Sequence, residues 1–361
     1  MTNDTSSSSQ PNIGRTILDD FRRGDFERSM KRDYRELKDF MLTEEREKRL
    51  KEMRTLRRLL FISWWFLEGL ILKLTPARRI LLLVAVFLII SSWGKNGNEG
   101  LHLLGALVLL FIIMLELKDK LIAHEELEAG HAVQNALMPE RTPPVSGWGL
   151  WLFTRSANEV GGDLVDFINI SPDRVGVTLG DIAGKGLRAA LLTAKLQATI
   201  RALAPDFSSL SELGRKLNFI FCRDSLPNLF ASVVYLEVQP NAGSIRLVNA
   251  GHLPPLIVRG AQLERTDKGG MALGLSPQAT YQEQRLELNT NDMVFVYSDG
   301  LTEARNESGA FFGEQKILDL LPQLATYSPQ QIGDRLLAEI DRFVGDARTY
   351  DDITIAILKR L

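Results

Sequence analysis

An α+β chain, with a helical, largely apolar N-terminal third followed by a strand-rich remainder, is the fold class this sequence predicts. Three observations carry it. Apolar residues recur at helical spacing, or run without charge, as far as Leu115; short β-prone runs broken by glycine take over after Pro139; and four acidic segments fall at predicted strand ends. The 361 residues allow about two domains of roughly 150 residues each, and rule out a disulfide miniprotein. Lys and Arg total 43 against 45 Asp and Glu, a net charge of −2, so no basic balance advertises nucleic acid and none is expected as a partner. Cys222 has no second cysteine to pair with, and its apolar setting, Asn218-Phe-Ile-Phe-Cys222, marks a packed thiol. The mean hydropathy of −0.03 averages over a strongly segregated chain.

Residues 1–20 begin with a Ser/Thr/Asn tract too poor in apolar surface to offset the entropy of ordering it, and are expected to be a disordered tail. From 21 to 58 charges of both signs alternate while Phe26, Met30, Tyr34, Leu37 and Met41 recur every three or four residues. That is a charged amphipathic helical region, either a solvated helix packed on a neighbour or a segment for self-association.

Residues 59–117 form the predicted membrane region. The block at 59–74 contains Glu68 and Lys73 together with Trp64 and Trp65, and is read as an interfacial helix. Two charge-free blocks, Ile80–Trp93 and Leu101–Leu115, extend to spans at about 77–94 and 100–117 joined by the turn Gly94–Gly100. Arg54, Arg57, Arg58, Lys73, Arg78 and Arg79 precede this hairpin and Lys118 and Lys120 follow it, whereas the turn holds one basic residue, Lys95. The positive-inside rule puts both ends in the cytoplasm, in a multi-pass protein of the cytoplasmic membrane whose partner is the lipid bilayer. Residues 118–139 read as a polar linker helix ended by Pro139, with a thin seam of Ala123, Leu127 and Val133. Gly130 costs it about 1 kcal/mol relative to alanine. Such a linker is an inert spacer or a segment that transmits a change from the membrane side, and it is where a homodimer would form.

The acidic segments are Glu159-Val-Gly-Gly-Asp-Leu-Val-Asp166, Val175–Gly186 around Asp181, Met293–Gly300 around Asp299, and Tyr350-Asp-Asp-Ile-Thr354. Each Asp-Gly alone is an ordinary turn signal. Several carboxylates converging at the mouth of a sheet repel one another and are driven neutral unless cations sit between them, and aspartate oxygens suit hard ions such as Mg²⁺ and Mn²⁺.

Taken in order, these segments resemble the PPM-type metal-dependent serine/threonine protein phosphatases, in their bacterial SpoIIE/RsbU-like branch. The resemblance runs from about Glu125 to Leu361 through Gln134-Asn-Ala-Leu-Met-Pro139, Glu159–Asp163, Gly180-Asp-Ile-Ala-Gly-Lys-Gly186, Leu229-Phe-Ala-Ser232, Asn249-Ala-Gly-His-Leu-Pro-Pro255, Gly270–Leu275, Tyr297-Ser-Asp-Gly-Leu-Thr-Glu303 and Asp351-Asp-Ile-Thr354. It implies that 140–361 is a β-sandwich flanked by helices, an αββα domain, with two divalent cations, Mn²⁺ or Mg²⁺, at one end. It also implies that Asp181 bridges both ions, that the carbonyl of Ile182 adds a ligand, that Asp299 and Asp351 each hold one ion, and that Asp163 binds directly or through water. Asp352 would stand behind them. These residues would carry out hydrolysis of phosphoserine or phosphothreonine by a metal-activated water, on a phosphorylated regulatory protein of the STAS-domain anti-anti-sigma type. The alternative is a catalytically weak phosphatase-like signalling scaffold.

The sequence departs from the eukaryotic branch of that family, which has a histidine general acid in the box where this chain has Ala183 and Gly184. The proton donor is therefore unassigned. His252 is either that acid or a histidine fixing its loop. Lys185 either contacts phosphate at the start of the next helix or is a solvated loop lysine. Gly180–Gly186 fails as a P-loop, since Leu179 and Gly186 occupy the first glycine and hydroxyl positions. Gly161-Gly-Asp163 also fails as a cyclase hairpin, because Leu164 and Val165 follow it. Asn306-Glu-Ser308 reads as a surface turn.

Overall fold

Helix α1, Pro76–Ser91, opens on a proline whose missing N–H costs nothing in a first turn. It is followed by α2, Glu99–Leu137. The computed structural model describes residues 61, 64–65, 67–69, 71–91, 99–137, 144–224, 229–347 and 349–361. The expected tail at 1–20, the charged helix at 21–58, residues 94–98 of the hairpin turn and Pro139 lie outside the described residues, while Glu99 and Gly100 of that turn open α2. The chain divides into two compact units, Met1–Asp119 and Lys120–Leu361.

In the first unit a Cβ on Gly105 would stand 2.7 Å from Ile89 Cγ1 and 3.0 Å from the Ala85 carbonyl oxygen, so two small residues let the α1 and α2 backbones approach closely. Arg78 clamps the opposite end of the pair, donating to Glu116 Oε1 and Asp119 Oδ2 at 2.6 Å each. Large apolar side chains point outward, among them Leu83, Phe87, Leu103 and Ile113. Among the described residues, Gly100–Leu137 is the one helix long and apolar enough to cross a membrane. The 16 residues of α1 rise about 24 Å, short of a bilayer core of about 30 Å. The span expected at 100–117 and the linker expected at 118–139 are one unbroken helix of 39 residues. No proline or glycine falls between Gly105 and Gly130 to break it, and the charged residues after Leu117 are accommodated by ion pairs such as Asp119 with Arg78 and Lys118.

The second unit is built on two antiparallel five-stranded sheets. The first contains β1 (Trp148–Arg155), β6 (Leu256–Arg259), β7 (Gln262–Arg265), β9 (Met293–Tyr297) and β10 (Ile353–Arg360), in the order β1-β10-β9-β6-β7. The second contains β2 (Asp163–Ser171), β3 (Arg174–Ile182), β4 (Ala231–Val238), β5 (Ser244–Ala250) and β8 (Glu283–Glu287), in the order β2-β3-β4-β5-β8. Helices α3 (Leu187–Leu203) and α4 (Leu210–Asp224) cover the second sheet, and α6 (Glu314–Leu324) and α7 (Pro329–Val344) cover the first, with a short α5 (Asp299–Thr302) between β9 and α6.

Strand periodicity sorts the core into layers. In β9, Val294 and Val296 face the opposite sheet while Met293, Phe295 and Tyr297 face α6 and α7. In β10, Ala356 and Leu358 face inward, and Ile353, Ile355 and Ile357 face the helices. β9 reads as an unbroken apolar run, and β10 as one broken only by Thr354 before Lys359, because both faces of each are covered. Helix α7 seats Ile332, Leu336 and Ile340, one per turn, all fully buried and each contributing about 1.5–3 kcal/mol. Its start is specified locally: Ser328 Oγ accepts from the Gln331 N–H while Gln331 Oε1 accepts from the Ser328 N–H, with Pro329 at the first helical position. The expected αββα sandwich is therefore the fold observed.

A candidate metal centre at one end of the sandwich

Antiparallel pairing brings the four predicted aspartates together. Asp163 opens β2 and is directly opposite Asp181, near the end of β3. Asp299 follows β9, and Asp351 precedes β10, the antiparallel neighbour of β9. All four therefore lie at the same end of the two sheets. Asp181, Asp351 and Asp352 line one pocket with Asn158, Val160, Gly162, Gly184, Lys185 and Gly186.

Glycines make the room. A Cβ on Gly162 would stand 3.1 Å from the Ile182 carbonyl oxygen and 3.5 Å from Asp181 Oδ1, filling the space in front of both. A Cβ on Gly300 would overlap the Asp352 carbonyl oxygen, so the chain after Asp299 can pass Asp352 only as glycine. Gly184 and Gly186 adopt φ of 127° and 73°, which allows the sharp turn from β3 into α3.

Asp351 and Asp352 do different work. Asp352 is buried, and its carboxylate accepts from the backbone N–H groups of Ala157 at 2.7 Å, Gly162 at 2.7 Å and Asp163 at 3.3 Å. It thereby ties residues 157–163 to the start of β10. Asp351 remains partly open to the pocket.

Burial and mutual repulsion raise three of the four carboxyls. Burial pushes the Asp163 carboxyl well above the ordinary carboxylate range; hydrogen bonding from Thr354 opposes this, and the charges of Asp181 and Asp352 add to it. Burial, then the charges of Asp299, Asp351 and Asp352, push Asp181 up to about 6. Burial, then Asp351 and Glu303, raise Asp299. Asp163 Oδ2 is buried without a hydrogen-bond partner. An orphaned buried oxygen, an all-oxygen donor set, and a space before Asp181 and Ile182 that a Cβ would fill together fit a hard divalent cation. Among the described residues no three acidic or imidazole groups already surround one point as a preassembled centre. Asp181, Asp351 and Asp352 line the pocket, with Asp163 and Asp299 close enough for their charges to act on these carboxylates.

His252 fits the loop-fixing reading. Its backbone N–H donates to Asn249 Oδ1 at 2.8 Å and its carbonyl accepts from Asn249 Nδ2 at 3.0 Å. The ring is buried, and burial lowers it to about 4, so at neutral pH it is a neutral imidazole and not the imidazolium a general acid would need. Lys185 Nζ donates to the Tyr350 carbonyl at 2.8 Å and stands 3.8 Å from Asp351 Oδ2, on the rim of the pocket. Cys222 is a half-buried thiol bonded to Asn218 Oδ1.

The seam expected along the linker requires correction. Ala123 and Val133 are exposed, and the covered face of α2 is instead Leu127, Gly130, His131 and Gln134, a stripe at helical spacing that is mostly not apolar. Gln134 is buried and makes a reciprocal pair with Gly161, donating to its carbonyl at 2.9 Å and accepting from its N–H at 3.1 Å. Gly130 lies against Val160 and Leu187. The last carbonyl of α2, on Leu137, accepts from Gln197 at 2.8 Å and Arg201 at 3.3 Å of α3. Apolar periodicity cannot reveal such a face, because glycine and glutamine do not count toward it. The available signal was the glutamine five residues before Pro139, inside the family-like box.

Comparison with known proteins agrees with this geometry. The family model described as Stage II sporulation protein E (SpoIIE) matches residues 171–361, more than half of the chain. Protein IcfG of Synechocystis is 24% identical over 296 residues, 74% of this chain and 46% of IcfG. Phosphoserine phosphatase RsbU of Bacillus subtilis is 23% identical over 239 residues, 65% of this chain and 70% of RsbU. The chain thus spans less than half the length of the first of these relatives. Among solved structures, the SiaA-PP2C domain of Pseudomonas aeruginosa superposes with a TM-score of 0.60 at 19% identity, covering 67% of this chain and 98% of that domain. The fold is that of the PP2C phosphatases.

Proposed function

The chain belongs to the SpoIIE family, and from that premise we propose that it is a membrane-anchored, metal-dependent protein serine/threonine phosphatase acting on a phosphorylated regulatory protein. The observation that carries the proposal is the convergence of Asp163, Asp181, Asp299 and Asp351 at one end of the sandwich, with a buried carboxylate oxygen of Asp163 left without a partner. Asp163, Asp181, the Ile182 carbonyl, Asp299 and Asp351 would hold two divalent cations, Mn²⁺ or Mg²⁺. When bound, such ions supply an activated water and neutralise phosphoryl oxygens. Asp352 keeps residues 157–163 in register with the pocket through three backbone N–H bonds. Lys185, on the rim, offers a positive charge to an approaching phosphoryl group once Asp351 is engaged elsewhere. The name phosphoserine phosphatase, carried by RsbU, supports phosphoserine as the group attacked. A STAS-domain substrate follows from the family resemblance alone.

The outward apolar faces of α1 and α2, and the basic residues flanking them, support anchoring in the cytoplasmic membrane, with α2 as a full-length span and α1, shorter than the bilayer core, as the second, and with the phosphatase domain in the cytoplasm. The reciprocal Gln134–Gly161 bonds support α2 as a route by which the membrane side, or dimerisation through the linker, influences the metal site. The test is direct. The purified full chain with Mn²⁺ should release phosphate from a phosphoserine protein, EDTA should stop it, and Asp299→Asn should cost about a hundredfold or more. Equal silence of both forms, with partner binding retained, would instead favour the scaffold reading.

A further inference from the structure

The segment after α5 builds an arch with an arginine at its foot. Asn306 organises it: its N–H donates to the Ala310 carbonyl at 3.0 Å, and its Oδ1 accepts from Ser308 N at 3.1 Å, Ser308 Oγ at 2.7 Å and Ala310 N at 2.9 Å. Arg305 and Phe311 face each other as an antiparallel bridge, and bonds from Phe312 N to Ala304 O at 2.7 Å and from Gly313 N to Thr302 O at 2.9 Å tie the arch to the helix that begins at Asp299. The Asn306-Glu-Ser308 motif is thus the turn that supports Arg305.

The Arg305 guanidinium carbon lies 4.5 Å from the Phe311 ring centroid and 5.3 Å from that of Tyr350. Both rings are 51% exposed. Stacking on two aromatics orients the guanidinium while leaving its N–H donors free for a planar oxyanion. Among the described residues no carboxylate pairs with it, although acidic groups are close in sequence: Glu303 acts on Asp299, and Glu307 Oε1 accepts from Asp346 N at 3.3 Å. Tyr350 connects this group to the pocket, because it precedes Asp351 and its carbonyl accepts from Lys185. An arginine and two half-exposed aromatics, one of them next in sequence to a pocket-lining aspartate and bonded through its carbonyl to pocket-lining Lys185, have the composition of a protein-binding hot spot.

We propose that Arg305, held between Phe311 and Tyr350, is a specificity-determining residue that receives a carboxylate flanking the phosphoserine of the protein substrate. The inference rests on the phosphatase reading of the adjacent pocket. An acidic flank would otherwise be repelled by the aspartate-rich mouth, and Arg305 converts that repulsion into selection for one register of the bound peptide.

The test uses the full chain in detergent with Mn²⁺ and three probes: a phosphoserine peptide with aspartates beside the phosphoserine, the same peptide with alanines, and p-nitrophenyl phosphate. Wild type should prefer the acidic peptide by about tenfold in kcat/KM, expressed in KM, and Arg305→Ala should bring that ratio close to one. Arg305→Lys, with the charge but not the fork, should keep part of the preference. An equal loss on both peptides and on p-nitrophenyl phosphate overturns the inference, since Arg305 would then serve the phosphoryl group itself. An unchanged preference overturns it as well. Absence of Mn²⁺-dependent turnover by the wild type on all three probes fails the phosphatase reading, and this inference with it.

Discussion

Replacing Asp181 by asparagine should stabilise the metal-free domain while abolishing the proposed activity. Asp181 is pushed from 3.8 up to about 6, by burial first and then by the charges of Asp299, Asp351 and Asp352. A shift of about two units at about 1.4 kcal/mol each means that the ionised group opposes folding by ~3 kcal/mol. Solvent on the open side of the pocket screens part of this, so the figure is an upper bound. The sign follows from proton binding. The folded state holds this proton more tightly than the unfolded chain, so the penalty is absent below the unfolded value near 3.8, grows as pH rises, and is complete above about 6. At pH 5 about half of the ~3 kcal/mol is in force, and at pH 8 all of it. Asparagine keeps the volume and removes the charge. Urea unfolding of the unit Lys120–Leu361 in EDTA, followed by tryptophan fluorescence, should therefore give Asp181→Asn a higher midpoint than wild type, with a gain at pH 8 about twice that at pH 5. Saturating Mn²⁺ should reverse the order, since each of the two proposed ions at a hundred times its Kd adds about 2.7 kcal/mol to a protein that binds it, more together than the ~3 kcal/mol penalty. A variant no more stable than wild type at pH 8 in EDTA, or a gain independent of pH, would refute the argument that these carboxylates are held together against their repulsion.

Three further outcomes follow from the same geometry. Gln134→Ala leaves the Gly161 N–H and carbonyl unpaired where they are buried, at a cost of about 1–3 kcal/mol each, and should raise the Mn²⁺ concentration for half-maximal phosphate release by about tenfold; an unaltered Mn²⁺ titration would remove Gln134 from the positioning of the site. Gly300→Ala drives a Cβ into the Asp352 carbonyl oxygen and should destabilise the domain by about 2 kcal/mol or more while eliminating turnover, and a variant with a wild-type melting curve would contradict the close approach. His252, lowered by burial to about 4, must take up a proton on unfolding in acid, so wild type should lose ~2 kcal/mol of stability as pH falls from 7 to 5; His252→Gln should flatten that limb, and parallel pH profiles for the two proteins would count against the buried neutral ring.

How far the site was legible can be judged from particular residues. Asp163, Asp181, Asp299 and Asp351 each follow or precede a β-prone run, and a carboxylate at a strand end is a local pattern that can be read without coordinates. The separate roles of Asp351 and Asp352 follow from three backbone N–H groups nearly two hundred residues away in the chain, which reach only the second of them. Arg305 gave no signal, because an arginine beside an ordinary Asn-Glu-Ser turn becomes notable only when Tyr350, 45 positions later, stacks on it. The linker face was misread because the contact is made by a glycine that permits close approach and a glutamine that bonds backbone, neither of which contributes to an apolar stripe.

Local chemistry by itself determined the segregation of the chain: charge-free helical blocks, a change from helical to alternating periodicity after Pro139, and the order of acidic boxes that identifies the family. These are properties of neighbours in sequence, where side-chain spacing and backbone preference act within a few residues. Only the tertiary structure decided which residues share the pocket, that the predicted span and linker are one helix, and that this helix holds the loop leading into Asp163. Those facts depend on strand register and on packing between segments far apart in the chain, where one missing Cβ or one buried amide selects the arrangement that pattern alone leaves open.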